Sequence, residues 1–115
     1  MTFKIKRAYE TPDPTDGFRV LVDRLWPRGL TKEKLRIDAW VKDVAPSTEL
    51  RKWIHSDMSR WAEFRRRYFK ELAAQPEAVA DLRKRARAGQ VTLVFAARDP
   101  ENNHAAILKD YLERS

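Results

Sequence analysis

Two stretches decide the fold: Phe18-Arg19-Val20-Leu21-Val22 and Val91-Thr92-Leu93-Val94-Phe95. Each is a nearly continuous β-branched and apolar run bounded by turn residues, the pattern of a strand buried on both faces. Helical periodicities fill the chain between them, and buried strands separated by helices pair in parallel through a crossover. The expected fold is therefore α/β: a small, mostly parallel sheet of about three strands flanked by helices. The carboxyl ends of both runs should share one sheet edge.

Working outward, Phe3-Lys4-Ile5-Lys6-Arg7 alternates apolar and basic residues, which predicts a short edge strand with one wet face. Tyr9 to Gly17, with Pro12, Asp13, Pro14 and Asp16, is a loop. Between Asp23 and Ala45 the pattern is mixed. Trp26-Pro27-Arg28-Gly29 is a loop, Thr31 with Lys34 opens a helical turn, and Ile37, Trp40 and Val41 recur at helical spacing. Ser47 is placed to cap a helix with Glu49 in its first turn and Leu50, Trp53 and Ile54 on one face. Trp61, Phe64, Tyr68 and Leu72 then form the apolar stripe of a second helix. Pro76 opens a third, with Val79, Leu82 and Ala86 inward and Gly89 as a left-handed terminator. Asp99-Pro100 reads as N-cap and first position of a last helix carrying Ala105, Leu108, Tyr111 and Leu112 inward. At least one of Trp26 and Trp53 should pack against the Asp23–Gly29 loop, because an indole among charged residues needs a surface to cover it.

The 115 residues suffice for one domain, residues 1–115, and the 43% hydrophobic content supports a packed core. There is no apolar run of about 18 residues, and the start of the chain alternates charge with apolar groups. Neither a membrane segment nor an export signal is indicated, and a cytoplasmic protein is expected. The absence of cysteine removes disulfides, thiolate metal sites and sulfur nucleophiles. The two histidines lie too far apart in sequence for zinc spacing, and the three glycines, at 17, 29 and 89, spell no phosphate-binding or dinucleotide loop. No serine sits in a nucleophile elbow. Neither metal nor cofactor is expected. With 24 Lys and Arg against 17 Asp and Glu, the net charge of +7 attracts anions; nucleic acid, phosphorylated metabolites and plain solubility all remain open.

Open α/β folds bind ligands where the strands end. Asp23, Arg24 and Arg28 follow the first buried strand, and Arg98, Asp99, Asn102, Asn103 and His104 follow the second. Arginine forks beside a helix start present donors to phosphate or carboxylate. The plainer account is that Asp23 pairs with a neighbouring arginine and Asp99 only caps. His104 is the better catalytic histidine, with Asp23 across the sheet edge to orient it, although a packed or capping histidine explains it as well. His55 reads as a C-terminal helix residue. Arg65 borders an apolar face, so its head must be paired indoors or reach a ligand. Arg66, Arg67 and Lys70 are interleaved with Glu63 and Glu71 as a solvated face. Arg83, Lys84, Arg85 and Arg87 form a denser basic patch, suited to phosphate contacts but without aromatics to stack bases.

The string Arg19-Val20-Leu21-Val22-Asp23-Arg24-Leu25-Trp26-Pro27-Arg28-Gly29 resembles the signature of the YeaO-like bacterial proteins, a family of unknown function. Ala45 to Lys52, Glu63-Phe64-Arg65 with Tyr68, Thr92 to Ala97, and Asn103-His104-Ala105 are similar to that family's other motifs. The resemblance spans the chain and implies an α/β domain of a bacterial cytoplasm with no established activity. The layout is also similar to rhodanese-type domains, whose second strand delivers a catalytic cysteine; here that place reads Phe95-Ala96-Ala97-Arg98, so covalent sulfur or phosphoryl chemistry does not carry over.

The leading expectation is a small-anion site at the strand ends. Asp23 and His104 are its catalytic candidates, and Arg24, Arg28, Glu49, Arg65, Arg98 and Asn103 its binding candidates. A nucleic-acid or regulatory module built on the basic helices and a protein-interaction adaptor are the alternatives. The sequence does not specify an oligomeric state.

Overall fold

The two apolar runs lie side by side in parallel, Phe18 opposite Val91 and Leu21 opposite Val94. In the computed structural model, which describes residues 1–114, the strands are β1 (Phe3–Arg7), β2 (Phe18–Leu21), β3 (Ala39–Trp40) and β4 (Val91–Phe95). The helices are α1 (Lys32–Leu35), α2 (Thr48–Ser56), α3 (Trp61–Ala73), α4 (Pro76–Ala88) and α5 (His104–Glu113). The sheet has four strands in the order β1-β4-β2-β3, one more than the sequence suggests, and every pairing is parallel. The extra strand is β3, held between the Asp38 N–H bond to Arg19 O and the Val41 N–H bond to Leu21 O. Two paired residues are too short a run for a period to show, which is why Trp40 and Val41 mimic helical spacing. β1 is an edge strand, as its alternation predicts.

Side-chain alternation divides the core. Val20, Val22, Val91, Leu93, Phe95 and Phe3 face one side, where helices α2 to α5 contribute Leu50, Ile54, Phe64, Tyr68, Leu72, Leu82, Leu108 and Leu112. Leu21 and Val94 face the other, under Ala8, Leu35 and the partly buried Trp26 and Trp40. Burial on both faces is what the continuous apolar runs require. Trp26 meets Trp40 edge-on at 5.5 Å and donates from Nε1 to Leu30 O at 2.7 Å, so it closes its own loop. Trp53 lies under Arg67 and Arg60, 4.4 and 5.0 Å from its ring.

Three local features follow the sequence reading and two depart from it. Thr31 caps α1, Ser47 caps α2 and Pro76 starts α4. The last helix is capped by Asn103, whose side chain accepts Ala106 N–H at 2.9 Å, and not by Asp99. Asp99 instead accepts the N–H groups of Glu101 and Asn102, closing a turn ahead of the helix, the other local structure an aspartate favours. Gly89 is extended at φ 175°, because the chain leaves α4 straight into β4. Gly17 is the glycine the fold needs: its φ is +65°, and a Cβ there would stand 2.2 Å from Gln90 O.

The amino end of the sheet is sealed by charge. Asp16 is fully buried and accepts from Lys6 at 3.1 Å, Lys4 at 3.3 Å and Arg19 at 2.6 Å. Arg19 also donates to Leu35 O and Arg36 O, and the Asp16 carbonyl accepts from Thr92. Burial raises the Asp16 carboxyl, but the Asp13 backbone bond and the bonds from Lys6, Arg19 and Lys4 outweigh it and bring the pKa down to about 2 from 3.8. A folded-state pKa below the unfolded one contributes stability that is complete above the unfolded value and lost as pH falls through the folded one. Lowering pH from about 4 to about 2 should therefore remove on the order of 2 kcal/mol through Asp16. Urea unfolding across that range should show a shallower acid limb in Asp16→Asn than in wild type; equal slopes would refute the assignment.

Candidate functional site

Because β2 and β4 run parallel, their carboxyl ends emerge together. The residue after Val22 bridges them. Asp23 Oδ2 accepts the Ala96 N–H at 2.9 Å, and its backbone carbonyl accepts Trp40 Nε1–H at 2.6 Å. His104, the first residue of α5, brings Nε2 to 3.0 Å from both Val22 O and Asp23 Oδ1. Only the approach to Val22 O has hydrogen-bond geometry, so buried Oδ1 faces the imidazole without a directed bond of its own. Two oxygens against Nε2 require a proton there, which fixes the tautomer of the neutral ring and leaves Nδ1 without a partner among the described residues. Tyr68, fully buried, lies 6.3 Å away edge-on. Burial first, then the charges of Glu71 and Asp23, raises the Tyr68 phenol well above its usual value, so it stays protonated and donates to Val44 O.

In front of this bridge lies a cavity of about 670 Å³. Asp23, Arg24, Arg28, Arg98, Asn103 and His104 all line it, so six of the eight candidate residues, from two separate segments, are brought together. They do different things. Arg24 ties the loop to the start of α2 through Pro46 O at 3.2 Å and Ala45 O at 3.4 Å. The buried Asn103 spends its side chain on Ala106 N–H and Asp99 O. Arg28 and Arg98 are exposed and take no hydrogen bond, ion pair or ring contact through their guanidinium groups among the described residues.

Two candidates lie outside the lining. Arg65 pairs with Asp110 on α5 and covers Phe69 at 4.6 Å; its apolar-border position is met by a protein carboxylate on another helix. Glu49 is exposed in the first turn of α2, where it complements the helix dipole. Glu71, read as part of a solvated face, accepts from Ser47 N–H at 2.8 Å and Ser47 Oγ–H at 2.6 Å and so clamps α2 to α3.

The sequence reading missed the wall opposite the bridge. Arg51, Ile54 and His55, at i, i+3 and i+4, share one face of α2 and line the cavity with Met58, Trp61 and Phe64. The spacing was visible, but nothing local says that this face meets the sheet edge. Arg51 and His55 are exposed and, like Arg28, have no side-chain partner among the described residues. Among those residues no group of three or more His, Asp and Glu is placed to hold a metal ion, and no helix is long and apolar enough to cross a membrane.

The fold and site define an α/β protein with a basic crevice at the carboxyl edge of a parallel sheet. The chain belongs to the family described as the inactive DUF488-N3 subclade, whose model matches residues 2–115. It is 42% identical over 112 residues to the uncharacterised protein YeaO of Escherichia coli K12, covering 97% of each chain. It is 48% identical over 109 residues to uncharacterised proteins of Mycobacterium bovis and Mycobacterium tuberculosis, covering 95% of this chain and 92% of theirs. The YeaO-like resemblance of the sequence is thus established, and these relatives are bacterial. No solved structure matches.

Asp23→Ala strands the Ala96 N–H and removes the carboxylate beside His104 Nε2, and should cost about 2 kcal/mol in urea unfolding. A double-mutant cycle with His104→Ala should be non-additive by at least about 0.5 kcal/mol. Arg65→Ala removes a partly exposed pair and should cost no more than about 1 kcal/mol. Strict additivity of Asp23 and His104 would show that the two do not act as a unit.

Proposed function

We propose that this protein binds a small anionic metabolite in the crevice at the carboxyl ends of β2 and β4. One observation carries the reading: Arg28, Arg51 and Arg98 line one cavity of about 670 Å³ and have no protein acceptor among the described residues. That volume suits a metabolite, and uncommitted guanidiniums around a concavity are donors for phosphate or carboxylate. In this reading Asp23 and His104 form the braced wall against which the ligand rests, with Nδ1 of His104 free of any protein partner among the described residues. The family's description as inactive and the lack of any cysteine support binding without a covalent step. A bacterial cytoplasmic location and a single domain fit the same picture.

The nucleic-acid alternative has less to draw on. Within the basic patch of α4, Arg83 donates to the carbonyls of Tyr111, Leu112 and Arg114 at the end of α5, and Arg85 covers the Phe18 ring at 4.0 Å. Both are occupied at home, which thins the positive surface that a phosphate backbone would meet.

Thermal-shift screening with phosphorylated and carboxylated metabolites tests the proposal. A ligand present at about 100 times its Kd should stabilise wild type by about 2.7 kcal/mol. Arg28→Ala and Arg98→Ala should lose the shift and Arg65→Ala should keep it. Absence of any stabilising anion, together with salt-steep binding of a short duplex, would replace this reading with the nucleic-acid one.

A further inference from the structure

The same crevice has a second character that the arginines alone do not explain. Large hydrophobic side chains exposed on the described surface are Met1, Tyr9, Leu25 and Met58. Tyr9, Leu25 and Met58, exposed by 47%, 59% and 49%, all line the cavity, together with the partly buried Trp61. They come from three distant parts of the chain: the β1–β2 loop, the loop after β2, and the turn between α2 and α3. Scattered single apolar groups on a surface need no explanation, whereas a group of them around one concavity marks a place where something apolar is covered. A bare phosphate would leave them wet.

We infer that the ligand is amphipathic: an anionic head, carboxylate or phosphate, joined to an apolar or aromatic body. The inference rests on the anion reading above and adds the chemical class of the molecule. The head pairs with guanidiniums of Arg28 and Arg98, which follow β2 and β4, and the body lies against Leu25, Met58 and Trp61. Methionine and leucine side chains adapt to a range of apolar shapes, and the indole offers a flat face to an aromatic one. Purely hydrophilic anions such as small sugar phosphates are then poor ligands, because they leave the apolar wall uncovered.

The experiment compares head, body and the two joined, by calorimetry on the full chain. The probes are inorganic phosphate and acetate, benzyl alcohol, and phenyl phosphate and phenylacetate; the last pair separates a phosphate head from a carboxylate one. The expected result is that a joined probe binds at least tenfold more tightly than its head alone, about 1.4 kcal/mol. Leu25→Ala and Met58→Ala should each weaken the joined probe severalfold and leave the head-only probe unchanged, while Arg28→Ala should weaken both. Both apolar residues are exposed, so their truncation leaves the fold intact, which thermal unfolding checks. Equal affinity for phosphate and phenyl phosphate, or insensitivity of the joined probe to Leu25→Ala and Met58→Ala, overturns the inference and leaves the anion reading standing. Benzyl alcohol binding as tightly as phenyl phosphate, or no binding of any probe, overturns both.

Discussion

The carboxyl edge of the sheet depends on the placement of one carboxylate. Asp23 lies two residues beyond β2, and its three oxygens face three other elements: Oδ2 the first amide beyond β4, Oδ1 the imidazole that begins α5, and the backbone carbonyl the indole of β3. Parallel strands leave their carboxyl ends without the hairpin that would join antiparallel neighbours, so something else must set the relative positions of the loops that follow. Asp23 does this between β2 and β4. Oδ1 is buried and meets His104 Nε2 at 3.0 Å without directed hydrogen-bond geometry. The contact borders the apolar and basic cavity in front of the bridge.

The two ends of the sheet use charge in opposite ways. At the amino end Lys4, Lys6 and Arg19 converge on the one buried carboxylate of Asp16, so the cations there are held by a partner inside the fold. At the carboxyl end Arg28, Arg51 and Arg98 converge on solvent. The cations thus divide by placement: Arg65 and Arg67 meet Asp110 and Glu63 and Arg83 meets helix-end carbonyls, while Arg28, Arg51 and Arg98 line the cavity without such partners among the described residues. Composition alone could not separate the two populations. Placement does.

What the sequence made legible follows from the range of each signal. Parallel pairing of β2 with β4, the edge position of β1 and the gathering of Asp23, Arg28, Arg98 and His104 rest on strand periodicity and on the rule that parallel ends coincide, and all of them hold. β3 was hidden because two residues have no period. Arg65 misled because an arginine at an apolar border needs a partner, and sequence spacing gives no sight of Asp110 on another helix. Arg51 and the apolar wall were missed for the converse reason: a face of α2 can be read from spacing, but what it faces is a tertiary fact.

The Asp23 bridge also bears on whether the crevice would turn over the proposed anion. Enzymes that stabilise developing negative charge do so with donors held rigidly in advance, most often backbone amides at a strand end or helix start. Here the first amide after β4 is already given to Asp23, those of Glu101 and Asn102 to Asp99, and that of Ala106 to Asn103. The guanidiniums of Arg28, Arg51 and Arg98 stand on exposed stems, which attract and hold an anion but are not fixed against a reacting atom. Loss of such preorganisation costs rate far more than affinity, since binding needs only the ground-state charge to be met. Under the proposed anion reading, an arrangement of this kind suits capture more than conversion, and the apolar wall beside it suits an anion with a body to cover.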